Sequence, residues 1–255
     1  MAMEHERLPA GYRLVASDEI DSTNSEAMRR AMAGDPGRLW LVARSQSRGR
    51  GRSGRDWVSV PGNLYASVLL RLGVPLAQAL ELPLVAGVAC HDAVRAVAPG
   101  LGRGEPELKW PNDVLLGGAK LAGILAESTS RNGVAGTVVV IGFGINLAHR
   151  PAELGERAVA LSARGYSVTP RKMLQALACS FSRWLGTWDA GRGLEMVRRA
   201  WLGRAMAPGR AISVKTGDGE ISGTFAGLAA DGALLLTDCD GVPRRITYGD
   251  VVLHR

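Results

Sequence analysis

The chain has 255 residues, 46% of them hydrophobic and 22% charged, which is the composition of a core-forming globular protein and excludes general disorder. Lys and Arg number 31 against 24 Asp and Glu, and the resulting +7 favours anionic partners: phosphates, nucleic acid, acidic proteins or acidic lipid surfaces. Three dispersed cysteines (Cys90, Cys179, Cys239) form neither a zinc cluster nor a disulfide framework, and no apolar run reaches membrane-spanning length, so a soluble cytoplasmic protein is expected.

Residues 12–19 predict a strand. Asp21-Ser22-Thr23-Asn24-Ser25-Glu26 reads as a helix start, with Thr23 and Glu26 at capping-box spacing and the helix running to about Ala33. Residues 39–43 form a short apolar strand, a polar Gly/Arg loop follows, and 63–72 is a strand apolar on both faces. Helical spacing with few charges over 78–98 predicts one buried helix. Strands are expected at 107–110, 113–116 and 120–127, the last two joined by Gly117-Gly118, a two-residue hairpin signal. The β-branched run 137–145 marks a central strand, 148–168 reads as a loop, and 170–188 and 194–202 are amphipathic helices. After Gly203, five short runs at 211–215, 221–228, 233–237, 244–248 and 251–253, parted by Gly-Asp-Gly and Asp-Gly turns, predict a small β-barrel. The expected organisation is an α+β domain over 1–203 and an all-β module over 204–255.

Three segments carry candidate chemistry. The first is Gln46-Ser47-Arg48-Gly49-Arg50-Gly51-Arg52-Ser53-Gly54-Arg55-Asp56-Trp57. Gly49, Gly51 and Gly54 match G-x-G-x-x-G, but no helix follows, and Asp56 stands at the valine position of a kinase-type loop. Alternating glycines let backbone approach a ligand closely, and four arginines in eight residues supply donors for phosphate or carboxylate. So concentrated a charge needs an anion nearby; a solvated loop that binds nucleic acid weakly is the equal alternative.

In the second segment, 108–127, Lys109, Lys120 and the pair Asn112-Asp113 interrupt apolar runs, where an unpaired ammonium is costly. Each lysine needs an anion, from Asp113, Glu127 or a ligand, and a buried salt bridge accounts for Lys109 equally well. Asp113 is a candidate Mg2+ ligand with help from phosphate oxygens. In the third, Gly142 and Gly144 bare alternate positions of the central strand, as a bulge or as a floor for a flat ligand, and Asn146 ends it.

Taken in order, Asp21-Ser22-Thr23-Asn24, Gln46 with the loop to Trp57, Lys109-Trp110-Pro111-Asn112-Asp113, Lys120-Leu121-Ala122-Gly123-Ile124-Leu125 and Gly142-Phe143-Gly144-Ile145-Asn146 resemble the bacterial biotin protein ligases (biotin–[acetyl-CoA-carboxylase] ligases). The resemblance is strong over about 12–147 and continues into the C-terminal module, which resembles the family's SH3-like domain. It implies an α+β fold whose mixed β-sheet catalytic domain is of the class II aminoacyl-tRNA synthetase and biotin ligase type, followed by an SH3-like β-barrel. It also implies activation of biotin by ATP to biotinyl-5′-AMP, then transfer to one lysine of a biotin carboxyl carrier protein.

By the resemblance, Ser22, Thr23, Asn24 and Gln46 bind the biotin head, and Gly49, Arg50 and Gly123 line its site. Arg52, Arg55, Trp57, Asn112, Asp113 and Asn146 serve ATP, Asp113 helps to hold Mg2+, and Lys120 bridges the biotin carboxylate and the phosphate. Lys120, Arg52 and Arg55 are the implied catalytic residues. Many relatives carry an N-terminal helix-turn-helix; here the pattern begins near Tyr12, so no DNA partner is expected, and homodimerisation follows no single family pattern. Ser53 stands where arginine is common, and 148–168, the family's adenine-covering loop, has no Trp. Two competitors remain: lipoate–protein ligase or octanoyl transfer, disfavoured by Gln46 with the Gly-Arg loop, and a nucleic-acid-binding protein, which leaves Lys120 and Asn112 unexplained.

Overall fold

A computed structural model describes residues 8–129, 136–217 and 219–254. Seven strands form one mixed sheet: β1 (Arg13–Ile20), β2 (Leu39–Gln46), β3 (Leu64–Leu72), β4 (Glu107–Lys109), β5 (Asp113–Leu116), β6 (Ala119–Thr129) and β7 (Thr137–Ile145). Their order is β1-β2-β3-β7-β6-β5-β4, so the β-branched run is the middle strand, as expected of a segment buried on both faces. Only β1 and β2 run parallel, and helix α1 (Thr23–Met32) is their crossover.

Alternation along the strands assigns the two faces. Leu39, Leu41, Leu69 and Val140 pack under α1 against Ala27 and Ala31. The opposite face carries Trp40 and Phe143, which meet Phe181 with ring centroids 5.9 and 6.1 Å away. That face is covered by α3 (Leu82–Val97) and α4 (Pro170–Trp188), with α5 (Leu194–Leu202) packed on both helices.

Several expectations shift for identifiable reasons. Ser22, not Thr23, caps α1: its backbone is extended (φ −158°, ψ 134°) and its Oγ accepts from Ser25 N at 3.4 Å. Glu26 instead pairs with Arg29 and Arg30. The helix expected at 78–98 is broken into α2 (Leu76–Ala79) and α3, because Pro83 lies in the first turn of α3 and its ring would clash with the carbonyl four residues back. Gly117 and Gly118 adopt φ +60° and +78°, the left-handed pair a two-residue hairpin requires. The 148–168 segment holds two 3-10 turns, Ala152–Arg157 and Leu161–Arg164.

The C-terminal strands β8 (Ala211–Thr216), β9 (Gly219–Leu228), β10 (Leu234–Asp238), β11 (Pro243–Ile246) and β12 (Asp250–Leu253) form an antiparallel sheet in the order β11-β10-β9-β8-β12. This corrects the expected closure into a barrel. Among the described residues β11 and β12 lie on opposite edges and do not pair, so the sheet stays open. The groups of β12 are engaged elsewhere: Lys109 Nζ donates to Val251 O at 3.0 Å, and the Asp250 carboxylate meets two arginines of the Gly/Arg loop. The sheet's apolar face, with Val214, Phe225 and Leu236, joins the same core as Trp110 and Trp201. Among the described residues no helix is long and apolar enough to cross a membrane.

Candidate active site

The cleft, of about 890 Å3, opens on the α1 face of the sheet. Val138 and Val140 of β7 pack with the α1 cluster. Two residues further along the same face the side chains stop: Gly142 and Gly144 leave bare backbone, and Gly123 lies opposite Gly144 on β6. Pairing on both sides of β7 runs through these glycines without a register shift, so they form a floor and not a bulge. A Cβ at Gly142 would collide with the Asn24 carboxamide and one at Gly144 with the Trp57 indole, and at Gly123 it would lie 2.8 Å from Trp57 Cζ3. The flat group on this floor is therefore the protein's own Trp57, with Lys120 Nζ 5.3 Å from the ring centroid.

A buried polar network walls one end. The Thr23 N–H donates to Gln46 Oε1 at 2.8 Å, and Gln46 Nε2 donates to Ser59 Oγ at 2.9 Å. Ser67 Oγ donates to Asn24 Oδ1 at 2.6 Å and lies 2.7 Å from Thr23 Oγ1. Asn24 Nδ2 donates to Leu125 O at 3.1 Å and Glu127 Oε2 at 2.8 Å. Both ends of Asn24 are thus taken by protein, so it fixes the wall as much as it faces a ligand. Asn112 and Asn146 act as struts in the same way, donating to Ile124 O at 2.7 Å and Lys120 O at 3.5 Å.

Beside the floor, one carboxylate holds both lysines. Lys109 Nζ is 2.8 Å from Asp113 Oδ2 and Lys120 Nζ is 2.7 Å from Oδ1. The Oδ1 contact is an ion pair without an aligned hydrogen bond. Burial pushes the Asp113 carboxyl up, but Lys120 and Lys109 override it and hold it below the usual carboxylate range. Two ammoniums on one carboxylate leave the cluster net positive, ready for an anion. The Mg2+ expected at Asp113 does not fit this donor set. Both oxygens already face ammonium groups, which leaves neither free for a cation.

Over the cleft, the Gly/Arg loop is closed on itself: Gly51 N donates to Arg55 O at 2.7 Å and Trp57 N to Gly49 O at 2.9 Å. Its charge is met by protein carboxylates. Arg50 pairs with Glu127 at 2.9 Å, and Arg52 and Arg55 pair with Asp250 at 3.1 and 2.7 Å. Ser22, Thr23, Asn24, Gln46, Arg50, Arg52, Arg55, Trp57, Asn112, Asp113, Lys120, Gly123 and Asn146 all line this one cleft. Gly49 does not: it is buried against Trp57 O and Ser59 Oγ, where no side chain fits. Sequence reading missed Ser59, Ser67 and Asp250, and it offered Glu127 to the lysines when its partners are Arg50 and Asn24. None sits in a local motif; each becomes visible only through its partner.

A glycine floor, an arginine loop above it and a Lys-Asp-Lys cluster beside it define an enclosed site for anionic ligands. Residues 18–146 match the model of the biotin/lipoate A/B protein ligase family, and 209–254 match the biotin protein ligase C terminal domain. The biotin–[acetyl-CoA-carboxylase] ligase of Paracoccus denitrificans is 41% identical over 222 residues, covering 85% of this chain and 90% of that protein. The bifunctional ligase/repressor BirA of Bacillus subtilis is 30% identical over 249 residues, covering 95% of this chain and 74% of that protein. The biotin protein ligase from Aquifex aeolicus in complex with biotin and ATP superposes with a TM-score of 0.79 at 29% identity, covering 95% of this chain and 99% of that one. The chain belongs to the biotin/lipoate A/B protein ligase family.

Proposed function

We propose that this chain is a biotin–[acetyl-CoA-carboxylase] ligase, with its catalytic domain over 1–203 and a C-terminal module over 204–255. The observation that carries the reading is Lys120. Its ammonium stands in the cleft between the Trp57 ring and Asp113, beside the glycine floor and under the arginine loop.

In the first half-reaction a biotin carboxylate oxygen bonds to the α-phosphorus of ATP, and the bond to the β-phosphate oxygen breaks, so pyrophosphate leaves. Two anions must meet, and Lys120, Arg52 and Arg55 offset their repulsion and the charge that develops. In the second, the amine of an acceptor lysine on a biotin carboxyl carrier protein attacks the acyl carbon. AMP leaves, and the amine loses its proton. The hydroxyls and carboxamide of Ser22, Thr23 and Gln46 suit a ureido head, polar on both edges. A dithiolane ring would leave such groups unpaired, which favours biotin over lipoate. The relatives' own activities support the same choice.

ATP–pyrophosphate exchange tests it directly. Exchange should depend on biotin; exchange driven by lipoate and not by biotin would overturn the reading. Removing loop charge should uncover the intermediate: Arg52→Gly should release free biotinyl-AMP about 10-fold faster, given the strength of hydrogen bonds to charged groups. Equal release from both proteins would refute a shielding role for the loop.

A further inference from the structure

Neither the sequence motifs nor the reaction gives a role to residues 248–250, yet they grip the loop at three points. Asp250 opens β12, the edge strand of the C-terminal sheet, and lines the cleft. Its two oxygens are divided between two of the loop arginines that line the cleft: Oδ1 to Arg52 at 3.1 Å and Oδ2 to Arg55 at 2.7 Å. Arg52 Nη1 also donates to Gly249 O at 3.1 Å, and its guanidinium carbon lies 5.3 Å from the centroid of the Tyr248 ring. Ser53 Oγ, at the tip of the loop, is 3.2 Å from Tyr248 Oη.

The exposures of the two arginines differ usefully. The Arg52 side chain is 16% exposed and so the more firmly packed, whereas Arg55 is 61% exposed; their shared partner Asp250 is itself reached by water, so salt screens both pairs. One carboxylate between two guanidiniums leaves the trio net positive. The junction therefore ties the loop down without cancelling the charge offered to an anionic ligand. Arg50 is held by Glu127 of β6. Only Gly51 separates Arg50 from Arg52, so the loop is gripped within three residues from both sheets, by Glu127 of the first and Asp250 of the second.

On the reading of the cleft as an acyl-adenylate site, we propose that Asp250 is a positioning residue: a latch from the C-terminal sheet that holds the arginine loop over the cleft and keeps the adenylate inside. It acts through Arg52 and Arg55 and touches no reacting atom. Arg52 is the fixed member of the latch, and Arg55 is the one free to leave Asp250 for a phosphate oxygen.

Three variants separate this from a merely structural role. Asp250→Asn removes the charge and keeps the shape, Asp250→Glu keeps the charge, and Asp231→Asn breaks an exposed pair with Arg245 in the same sheet but outside the cleft lining. The first readout needs no activity: trypsin cleavage after the loop arginines of the ligand-free protein, mapped by mass. Asp250→Asn should be cut in the loop about 5-fold faster than wild type, as expected from losing two partly exposed ion pairs. Asp250→Glu should stay within about 2-fold, and Asp231→Asn should not change. The second readout is release of biotinyl-AMP with biotin and ATP and no acceptor, which should rise about 5-fold in Asp250→Asn alone. If Asp250→Asn fails to fold, the wild-type protein answers: raising NaCl from about 50 to about 500 mM should speed loop cleavage relative to cuts elsewhere in the chain. Unchanged loop cleavage and unchanged release in a folded Asp250→Asn would overturn the latch. So would loop cleavage in the wild type that is indifferent to salt. If the wild type forms no biotin-dependent adenylate, the functional reading falls, while the cleavage arm still decides the latch.

Discussion

Lys120 and Asp113 show how a single residue's surroundings set its task. The buried charge here is the Asp113 carboxylate, which has two ammoniums to share, so the partly exposed Lys120 can turn to a ligand anion while Lys109 keeps the carboxylate paired. Lys120→Ala should lower biotin-dependent pyrophosphate exchange by about 100-fold or more, the usual cost of removing one stabilising donor from a reacting centre. A smaller loss than 10-fold would move the catalytic role to the arginines. The floor glycines make a different prediction. Gly144→Val drives a side chain into the Trp57 ring and should cost about 1–3 kcal/mol by overpacking, or expel the indole from the floor. Thermal unfolding together with Trp fluorescence distinguishes those two outcomes, and neither change would argue against the floor. Lys120 and the glycines were legible in the sequence because their types are unusual in apolar strands. Ser67, fully buried and sharing its hydroxyl between Thr23 and Asn24, was not legible, since a serine in a strand is ordinary until its neighbours are known.

At the scale of elements, Asp92 is the joint between helices. From α3 it pairs with Arg183 of α4 at 2.7 Å and with Arg204 beyond α5 at 2.8 Å, and Trp184 Nε1 donates to it at 2.9 Å. Burial pushes the Asp92 carboxyl up, but His91, Trp184 and Arg204 outweigh it and hold it well below the usual range. A folded value below the unfolded one means the native state holds its proton less tightly. The stabilisation is therefore full above the ordinary aspartate value and lost as pH falls toward the depressed one. Melting temperature should fall through the acid range in the wild type and fall less in Asp92→Asn. That variant should also be about 1 kcal/mol less stable at neutral pH, because Arg204 and Trp184 are only half-buried and Arg183 is exposed. Parallel acid limbs in the two proteins would refute the assignment. The elements themselves were largely written in the pattern: β5, β7, α4 and α5 fall on the expected residues. The break before α3 was not anticipated, although Pro83 stands in the sequence, because apolar spacing continues across it.

For the whole molecule, the two sheets share one apolar core. Trp201 of α5 is 1% exposed and belongs to the same cluster as Phe225 and Leu236 of the C-terminal sheet and Val85 and Val88 of α3. Unfolding should accordingly be one cooperative transition, with far-UV dichroism and Trp fluorescence superimposable. Trp201→Ala should lower its free energy by about 3–5 kcal/mol through the cavity it leaves. Two separated transitions would show that the C-terminal sheet folds independently.

The amino-acid order by itself determined most of the elements, the anionic character of the ligand and the family. Each of these rests on local pattern or on short motifs: hydrophobic period, a Gly-Gly hairpin, lysines in apolar runs, arginines between glycines. Only the tertiary structure decided what closes the site. Arg50, Arg52 and Arg55 meet Glu127 and Asp250, which are 77 and about 195 residues away in the chain. It also decided that the last five strands stay an open sheet, with β11 and β12 on opposite edges and Val251 O of β12 taken by Lys109. Charge needs a partner, and the sequence says so; which partner is a matter of distance, and distance between remote residues exists only once the chain has folded.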